Sequence, residues 1–296
     1  MLGLLGYTNL GHRLRARGFT PPPRMDGRVA VVTGATSGLG QAAAAGFAAL
    51  GAHVVLVVRD AERGERVRAE IGPDVATVAR CDVSSLADVR ALAAALPAEI
   101  EVLVHNAGVL PPKLTRTDEG HELTFATNVL GPFLLTALLA DRTRRVVNVS
   151  SGGMYTKKLD VDALLARGED AQDDFSGAAA YANTKRAEVV LTELWAQRLD
   201  PGRTVVHAMH PGWADTPGLQ ASLPGFRRLM RPLLRDARAG ADTIVWLGAA
   251  AEPLRGSGRF WLDRAPQPAH YVPWTRESAD DRARLWDVCA TATGAG

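Results

Sequence analysis

Short runs of valine and leucine alternate with alanine-rich helical patterns through most of this 296-residue chain. An apolar run without polar alternation is typical of a strand covered on both faces, and a helix between two such strands lets them pair in parallel. The alternation therefore predicts a Rossmann-type doubly wound α/β fold. We expect a single domain whose parallel sheet of about seven strands has helices on both faces.

The predicted domain spans residues 26–264. Its predicted strands are RVAVVTG, AHVVLVVRD, VATVARCDV, IEVLVHNAG, RRVVNVSS, TVVHAMHPG and GRFWLDR, and its predicted helices are 38–50, 61–71, 85–96, 118–140, 180–199 and 237–250. Residues 1–25 are expected to form an extension that packs on the domain, the alternative being a weak amphipathic helix at a membrane surface. The tail 265–296 is expected to pack on the domain or to be partly disordered.

A glycine-rich turn lies between the first predicted strand and the first helix, in VAVVTGATSGLGQAAAAGF. Gly34, Gly38 and Gly40 permit a tight turn in which the backbone approaches a pyrophosphate at a helix N-terminus. Glycine-rich turns are common, but the order strand, turn, helix makes this one typical of a dinucleotide site. A plain turn is the alternative.

A tyrosine and a lysine stand four residues apart in AAAYANTKRAE, within a predicted helix. At this spacing Tyr181 and Lys185 lie on one helix face, one turn apart. A phenol can exchange a proton with a substrate at neutral pH if a nearby cation lowers its pKa, and Lys185 would be that cation. A packed helical tyrosine beside a surface lysine is the alternative if the pair stood alone.

Together these motifs resemble the short-chain dehydrogenase/reductase superfamily. The wide glycine spacing T-G-x-x-x-G-x-G and the Tyr-x-x-x-Lys pair are joined, in the expected order, by CDV, HNAG, TNVLG, VSS and PGWADT. The resemblance covers residues 28 to about 264. VSSGGMYTKKL, LTELWAQ, MHPGWADTPG, GADTIVWL and SGRFWLDR are more similar to the subgroup of SDR family member 12 than to the general retinol-dehydrogenase type.

The resemblance implies which residues bind the cofactor. The implied set is Gly34, Ser37, Gly38, Leu39, Gly40, Arg59, Asp82, Val83, Asn106, Ala107, Gly108, Tyr181, Lys185, Pro211, Gly212 and Thr216. Within it, Asp82 would receive the adenine amino group and Thr216 would hold the nicotinamide carboxamide. Without the resemblance, Asp82 is a turn or N-cap residue and Thr216 an ordinary loop threonine.

The residues after the second strand favour NADP(H) over NAD(H). Val58 stands where NAD-selective relatives have an acid for the ribose hydroxyls, and Arg59 follows it. A guanidinium can bind a 2′-phosphate through two charge-assisted hydrogen bonds. The alternatives are that Asp60 pairs with Arg59 or turns toward the ribose.

The resemblance also implies a catalytic set of Asn128, Ser151, Tyr181 and Lys185. Ser151 would hydrogen-bond the substrate oxygen, although the residues alone leave Ser150 open. Asn128 would anchor a proton-relay water to Lys185. His207 and His210 in HAMHPG are interpreted as structural, because an i, i+3 pair on a strand points to opposite faces. No metal site is expected.

The composition bears on the binding partners and the cellular location of the protein. The formal net charge of +2 gives no reason to expect nucleic acid, and two cysteines suit a reducing compartment. We expect no membrane-spanning run and a cytoplasmic location.

Two loops are predicted to form the substrate pocket. These are residues 152–179 and the stretch after Thr216. In and beside them, five side chains give an apolar character: Met154, Tyr155, Trp213, Leu219 and Phe226. This favours a lipophilic aldehyde, ketone or secondary alcohol. Apolar surface on helices 118–140 and 180–199, which pair across a two-fold axis in relatives, predicts a homodimer or homotetramer. An NADP(H)-binding sensor with little turnover and a nucleotide-sugar-modifying enzyme remain alternative functions.

Overall fold

The fold is an eight-stranded sheet with helices on both faces, in a computed structural model that describes residues 4–166, 172–173, 175–215, 225, 228 and 230–295. The strand order is β3-β2-β1-β4-β5-β6-β7-β8, and only the last pair is antiparallel. The strands are β1 Val29–Thr33, β2 His53–Val58, β3 Ala76–Arg80, β4 Ile100–His105, β5 Thr143–Val149, β6 Val205–Met209, β7 Phe260–Leu262 and β8 Ala265–Gln267. The predicted doubly wound α/β class is confirmed.

Ten α-helices fall within the described residues. They are α1 Asn9–Ala16, α2 Gly38–Ala49, α3 Ala61–Ile71, α4 Leu86–Ala95, α5 Leu123–Phe125, α6 Gly131–Leu139, α7 Val161–Leu165, α8 Gly177–Arg198, α9 Ala237–Ala249 and α10 Ala279–Thr293. The helix predicted at 118–140 begins only at Leu123. Between α5 and α6 its backbone widens into a π-helical segment, Ala126–Leu130.

Successive side chains of the central strands enter two different hydrophobic cores. On β1, Val31 belongs to one core while Ala30 and Val32 belong to the other. On β4, Leu103 belongs to the same core as Val31, and Val102 belongs to the same core as Ala30 and Val32. This alternation is the reason that the strands are apolar at every position, since each face of the sheet is covered by helices.

The sheet order reverses at β1, which pairs with β2 on one side and β4 on the other. In open parallel sheets, ligands bind in the crevice at the carboxyl ends of the strands beside such a reversal. The fold therefore places the turn after β1 and the loop after β4 on opposite sides of one crevice.

One long apolar helical stretch departs from the sequence expectation that no run could cross a bilayer. Leu123–Arg142 has the length and composition to do so, and 78% of its apolar 18-residue window is buried inside the protein. Its apolar residues include Phe133 and Leu134, which belong to the hydrophobic core. In this fold the stretch therefore packs as a helix of the hydrophobic core that covers one face of the sheet.

The C-terminal tail packs on the domain in two ways. β8 extends the sheet beyond the seven predicted strands, and α10 packs against α6, α7 and α8. Trp286 contacts the rings of Phe133 and Trp195, and Leu285 and Cys289 are fully buried. The apolar helical surface that we expected to support a two-fold interface is thus partly covered by the chain itself, and the oligomeric state stays a prediction.

Candidate active site

A cavity of about 680 Å³ lies at the carboxyl ends of the strands. Most of the predicted site residues line it: Gly34, Ser37, Gly38, Leu39, Arg59, Asp82, Val83, Asn106, Ala107, Gly108, Ser151, Tyr181, Lys185, Pro211 and Gly212. Gly40 and Asn128 lie behind the cavity wall. Thr216, Leu219 and Phe226 lie outside the described residues.

The glycine turn after β1 is held too tightly for side chains. Gly34 has φ +66° and Gly38 has φ +56°, conformations that disfavour other residues. A Cβ at Gly40 would lie 2.3 Å from the carbonyl oxygen of Gly34. Asn106 secures the same turn, because its Nδ2 donates to the carbonyl oxygens of Thr33 and Gly34 at 2.9 and 3.2 Å.

The N-terminus of α2 faces this cavity without a side-chain cap. Ser37 is its N-cap residue, yet the Ser37 hydroxyl accepts no capping hydrogen bond. By contrast, Asp60, Ser85 and Asp236 cap α3, α4 and α9. The first N–H groups of α2 are therefore available to an anion, and this end of the cavity fits the diphosphate of a dinucleotide.

The adenosine end is formed after β2 and β3. Asp82 accepts hydrogen bonds from the backbone N–H and the hydroxyl of Ser84, at 3.0 and 2.7 Å. Asp60 caps α3 by accepting from Arg63 N at 3.1 Å, with the Arg63 guanidinium 3.9 Å away. Within the described chain, the exposed Arg59 forms no ion pair, so its guanidinium is available at the cavity edge.

Tyr181 and Lys185 occupy the opposite end, one turn apart on α8. Lys185 is only 3% exposed, and its Nζ lies 5.4 Å from the centre of the Tyr181 ring. Nζ donates to the carbonyl oxygen of Val149 at 2.9 Å and to Oε1 of Glu188 at 2.6 Å. Burial opposes the charge on Lys185, but Glu188 and Tyr181 together outweigh burial and raise the pKa of the ammonium.

The two serines after β5 have different environments. Ser150 is buried, and its hydroxyl donates to the carbonyl oxygen of Lys185 at 2.8 Å. The Ser151 hydroxyl accepts from Gly153 N at 3.3 Å, so its own proton remains available to a ligand in the cavity. The geometry favours Ser151 of the two as the group that contacts a substrate.

Asn128 is fully buried in the π-helical segment behind this end. Its side chain accepts from Val109 N at 2.9 Å and donates to the Thr184 hydroxyl at 3.0 Å. Gly108 separates Asn128 from Lys185, since a Cβ there would lie 3.3 Å from Asn128 Oδ1 and 3.5 Å from Lys185 Nζ. Asn128 thus holds the loop after β4 against α8.

Two predicted pocket residues lie elsewhere. Met154 is fully buried in a small core cluster, and the Tyr155 hydroxyl donates to the carbonyl oxygen of Pro268 at 2.8 Å. They pack the loop instead of lining the cavity, because the 3-10 turn Gly152–Thr156 directs them away from it. Trp213 does line the cavity.

The structure also adds residues that the sequence analysis missed. His210 lines the cavity, and its Nδ1 accepts from Gly212 N at 3.2 Å, whereas His207 bonds the Pro253 carbonyl outside it. Burial lowers the pKa of His210 to about 3, so the ring is neutral. Both histidines bond backbone groups, and His210 in addition lines the cavity. His210 directly follows β6 at the carboxyl edge of the sheet, and this position is the signal that could have placed it.

A second missed residue, Glu188, lies one turn beyond Lys185. The described residues contain no cluster of three or more His, Cys, Asp or Glu side chains that could bind a metal. The ligand groups of this cavity are instead an anion site, a pair of basic side chains and a Ser-Tyr-Lys cluster. This combination defines a class of protein, the dinucleotide-dependent oxidoreductases.

Comparisons with known proteins agree with this class. Residues 28–158 match the family model of the short chain dehydrogenases. The chain is 38% identical over 297 residues to dehydrogenase/reductase SDR family member 12 of Bos taurus, across 94% of this chain and 90% of the relative. It is 34% identical over 287 residues to retinol dehydrogenase 12 of Homo sapiens, across 92% and 88%.

Solved structures show the same fold. An uncharacterised protein from Mycobacterium paratuberculosis superposes with a TM-score of 0.76 at 27% identity, across 93% of this chain and 96% of that one. A 3-ketoacyl-(acyl-carrier-protein) reductase from Brucella melitensis, complexed with NADH, gives 0.63 at 28% identity, across 79% and 96%. The chain belongs to the short-chain dehydrogenase/reductase superfamily and is an oxidoreductase of that group.

Proposed function

We propose that this protein is an NADP(H)-dependent oxidoreductase that interconverts a lipophilic aldehyde or ketone and its alcohol through a Ser151-Tyr181-Lys185 relay. The observation behind the proposal is that these three side chains share one cavity with an uncapped helix N-terminus. A sensor that only binds the nucleotide would need the helix N-terminus but no proton donor beside it. We therefore favour an enzyme over a sensor.

Each residue of the relay has a distinct task. The Ser151 hydroxyl donates to the carbonyl oxygen and stabilises the charge that develops there. The Tyr181 hydroxyl gives its proton to that oxygen in reduction and takes it back in alcohol oxidation. The Lys185 ammonium, kept protonated by Glu188, favours the phenolate form that proton donation leaves behind. A bound nicotinamide would supply or accept the hydride.

The preference for NADP(H) rests on the basic end of the cavity. Arg59 lines this end without a carboxylate partner in the described chain, and Arg63 lies beside it on α3. Asp60 also lines this end, but one of its carboxylate oxygens accepts from Arg63 N at the start of α3. A 2′-phosphate would meet two guanidinium groups, of which Arg63 lies 3.9 Å from Asp60 and Arg59 has no carboxylate partner in the described chain.

The lipophilic substrate class rests on the walls beyond Ser151 and Tyr181. Apolar side chains line this end of the cavity: Val109, Leu110, Leu123, Ala178, Ala182 and Trp213. One of the relatives is named for retinol, a lipophilic alcohol. A long apolar carbonyl compound would gain most from this surface, because each buried CH₂ contributes about 0.8 kcal/mol to binding.

A steady-state assay tests the proposal. The purified protein is given NADPH or NADH with a series of straight-chain aldehydes of increasing length and with aromatic ketones. We expect NADPH to be preferred and kcat/KM to rise with chain length. Tyr181→Phe should lower turnover by about 10²- to 10⁴-fold.

Tyr271→Phe is the matched control, because it also removes one phenolic hydroxyl but lies outside the cavity lining. Its turnover should equal that of the wild type. Tight NADPH binding without turnover on any carbonyl would favour the sensor. Equal loss in both variants would argue against the role of Tyr181, and preference for NADH would contradict the role given to Arg59.

A further inference from the structure

A buried carboxylate lies directly against the lysine of the proposed relay. Glu188 is 7% exposed and Lys185 is 3% exposed, and their side chains are joined at 2.6 Å. The second carboxylate oxygen, Oε2, is buried and has no hydrogen-bond partner among the described residues. Leaving a carboxylate partly unsatisfied in the interior is costly, so its presence beside the relay needs a reason.

We propose that Glu188 is a positioning residue of the proton relay, which aims the Lys185 ammonium into the cavity and balances its charge. The inference rests on the proposed function, since it requires that Tyr181 and Lys185 move protons. Nothing in the reaction needs Glu188 to touch substrate or cofactor, and Glu188 does not line the cavity.

The aiming follows from counting donors. An ammonium has three N–H groups, and on Lys185 two of them are used by the Val149 carbonyl and by Glu188. Because the ammonium is tetrahedral, two fixed hydrogen bonds also fix the direction of the third N–H group. The cavity beside Nζ is open at Gly108, where even a Cβ would lie 3.5 Å from the nitrogen. The third donor is therefore available to a hydroxyl group in the cavity.

The charge balance follows from what surrounds Glu188. Lys185 is the charged group that contacts its carboxylate, and Tyr181 is the other titratable group near the Lys185 ammonium. After β5, the neighbouring polar group is the Ser150 hydroxyl. Thr192 on α8 accepts from Asn148 and donates to the backbone carbonyl of Glu188. An ionised Glu188 thus opposes the field that Lys185 exerts on Tyr181.

The balance changes near neutral pH. Burial raises the pKa of Glu188 to about 7, although Lys185 acts in the opposite direction. Above this pH the pair is neutral, and below it the ammonium has no counter-charge. In alcohol oxidation Tyr181 must act as a base, and an uncompensated cation makes the phenolate easier to form. Neutralising Glu188 by mutation should therefore let oxidation begin at lower pH.

The test compares pH profiles of kcat for oxidation of a long-chain alcohol with NADP⁺. Glu188→Gln keeps the volume and an oxygen that accepts from Lys185, but removes the charge. We expect its half-maximal rate about one pH unit below that of the wild type, with the two profiles converging below about pH 6. Glu193→Gln is the matched control, because Glu193 lies on the same helix and pairs at the surface with Arg282.

Each outcome is decisive. Superimposable profiles for wild type and Glu188→Gln would overturn the inference while leaving the proposed function intact. A wild type without Tyr181-dependent turnover would overturn both. If Glu188→Gln does not fold, Glu188→Asp retains the carboxylate one methylene shorter. The half-maximal pH should then stay at the wild-type value while kcat falls, and an unchanged kcat would contradict the aiming role.

Discussion

Two buried carboxylates of this protein have opposite pKa shifts. Asp263, in the β7–β8 turn, has burial acting to raise its pKa, but hydrogen bonds from His12 and Arg235 hold it well below the ordinary value. Glu188, on α8, has one cation beside it, and burial raises its pKa to about 7. Both carboxylates are buried, so the number of cationic partners decides whether the pKa is lowered or raised.

The partners also decide what each carboxylate does. His12 and Arg15 of the N-terminal extension and Arg235 before α9 all contact Asp263. Arg235 donates further to the carbonyl oxygens of Gly6, Tyr7 and Pro211. Asp263, His12, Arg15 and Arg235 thus form a clamp that joins the extension to the loop after β6. Glu188, in contrast, can change its protonation state beside the relay.

The largest expected effect is on the clamp. Asp263→Asn should lower the free energy of unfolding by about 3 to 5 kcal/mol, because it leaves Arg235 buried without its counter-ion. Urea unfolding at pH 7 measures this. Asp162→Asn removes a carboxylate from an exposed pair with Arg284 and should change little. An equally small effect at both sites would mean that the Asp263 partners do not act together.

The clamp should also show its pKa in acid. The folded-state pKa of Asp263 lies below its ordinary value of 3.8, so its stabilisation is present above that pH and lost as the pH falls below it. The difference in unfolding free energy between wild type and Asp263→Asn should therefore be smaller at pH 3 than at pH 6, by about 1 kcal/mol. A gap that stays constant would argue against ionised Asp263 in the folded protein.

The contribution of Glu188 to the free energy of unfolding should change with pH in the opposite direction. Its folded-state pKa lies above the ordinary 4.5, so its contribution to stability is present below pH 4.5 and lost as the pH rises through about 7. Relative to Glu188→Gln, the wild type should lose on the order of 3 kcal/mol between pH 4.5 and 8. Lys185 stays protonated across this range and adds no slope. A difference independent of pH would contradict the raised pKa.

The clamp and the relay differ in how far sequence alone could predict them. Tyr181, Lys185 and the glycine turn are local motifs, and α3 begins and ends at the residues that periodicity predicts. Glu188 had a readable signal, since it stands three residues after Lys185 on a predicted helix. Its role still depended on burial, which one sequence does not report.

The clamp had no such signal. Asp263 lies 251 residues from His12, and a contact at that distance depends on the whole fold. β8 was missed for a related reason, since Ala265–Gln267 contains Pro266 and owes its strand conformation to pairing with β7. The same holds for α10, whose packing removed part of the apolar surface from which we expected a dimer.

Arg59 extends the comparison to a cation with no carboxylate partner in the described chain. Arg59→Ser should raise the KM for NADPH by about 10- to 100-fold and leave that for NADH nearly unchanged, because a charged hydrogen bond contributes about 1.5 to 3 kcal/mol. Arg63→Ser should have a smaller effect, since Arg63 already lies 3.9 Å from Asp60. Parallel losses with both cofactors would place Arg59 away from the 2′-phosphate.

The smallest effect on stability is expected at a glycine beside the relay. Gly108→Ala would place its Cβ 3.3 Å from Asn128 Oδ1 and 3.5 Å from Lys185 Nζ, so the fold should lose less than about 1 kcal/mol. The methyl group nevertheless occupies the space toward which the third N–H of Lys185 points, and kcat should fall about tenfold. Gly212→Ala, at φ +77° and 2.3 Å from the Arg235 guanidinium, should instead destabilise the clamp. Urea unfolding of both variants, with kcat of Gly108→Ala, would distinguish the two regions, because the relay needs free space beside Lys185 and the clamp is closely packed around Arg235. Equal loss of stability at Gly108 and Gly212 would contradict that distinction.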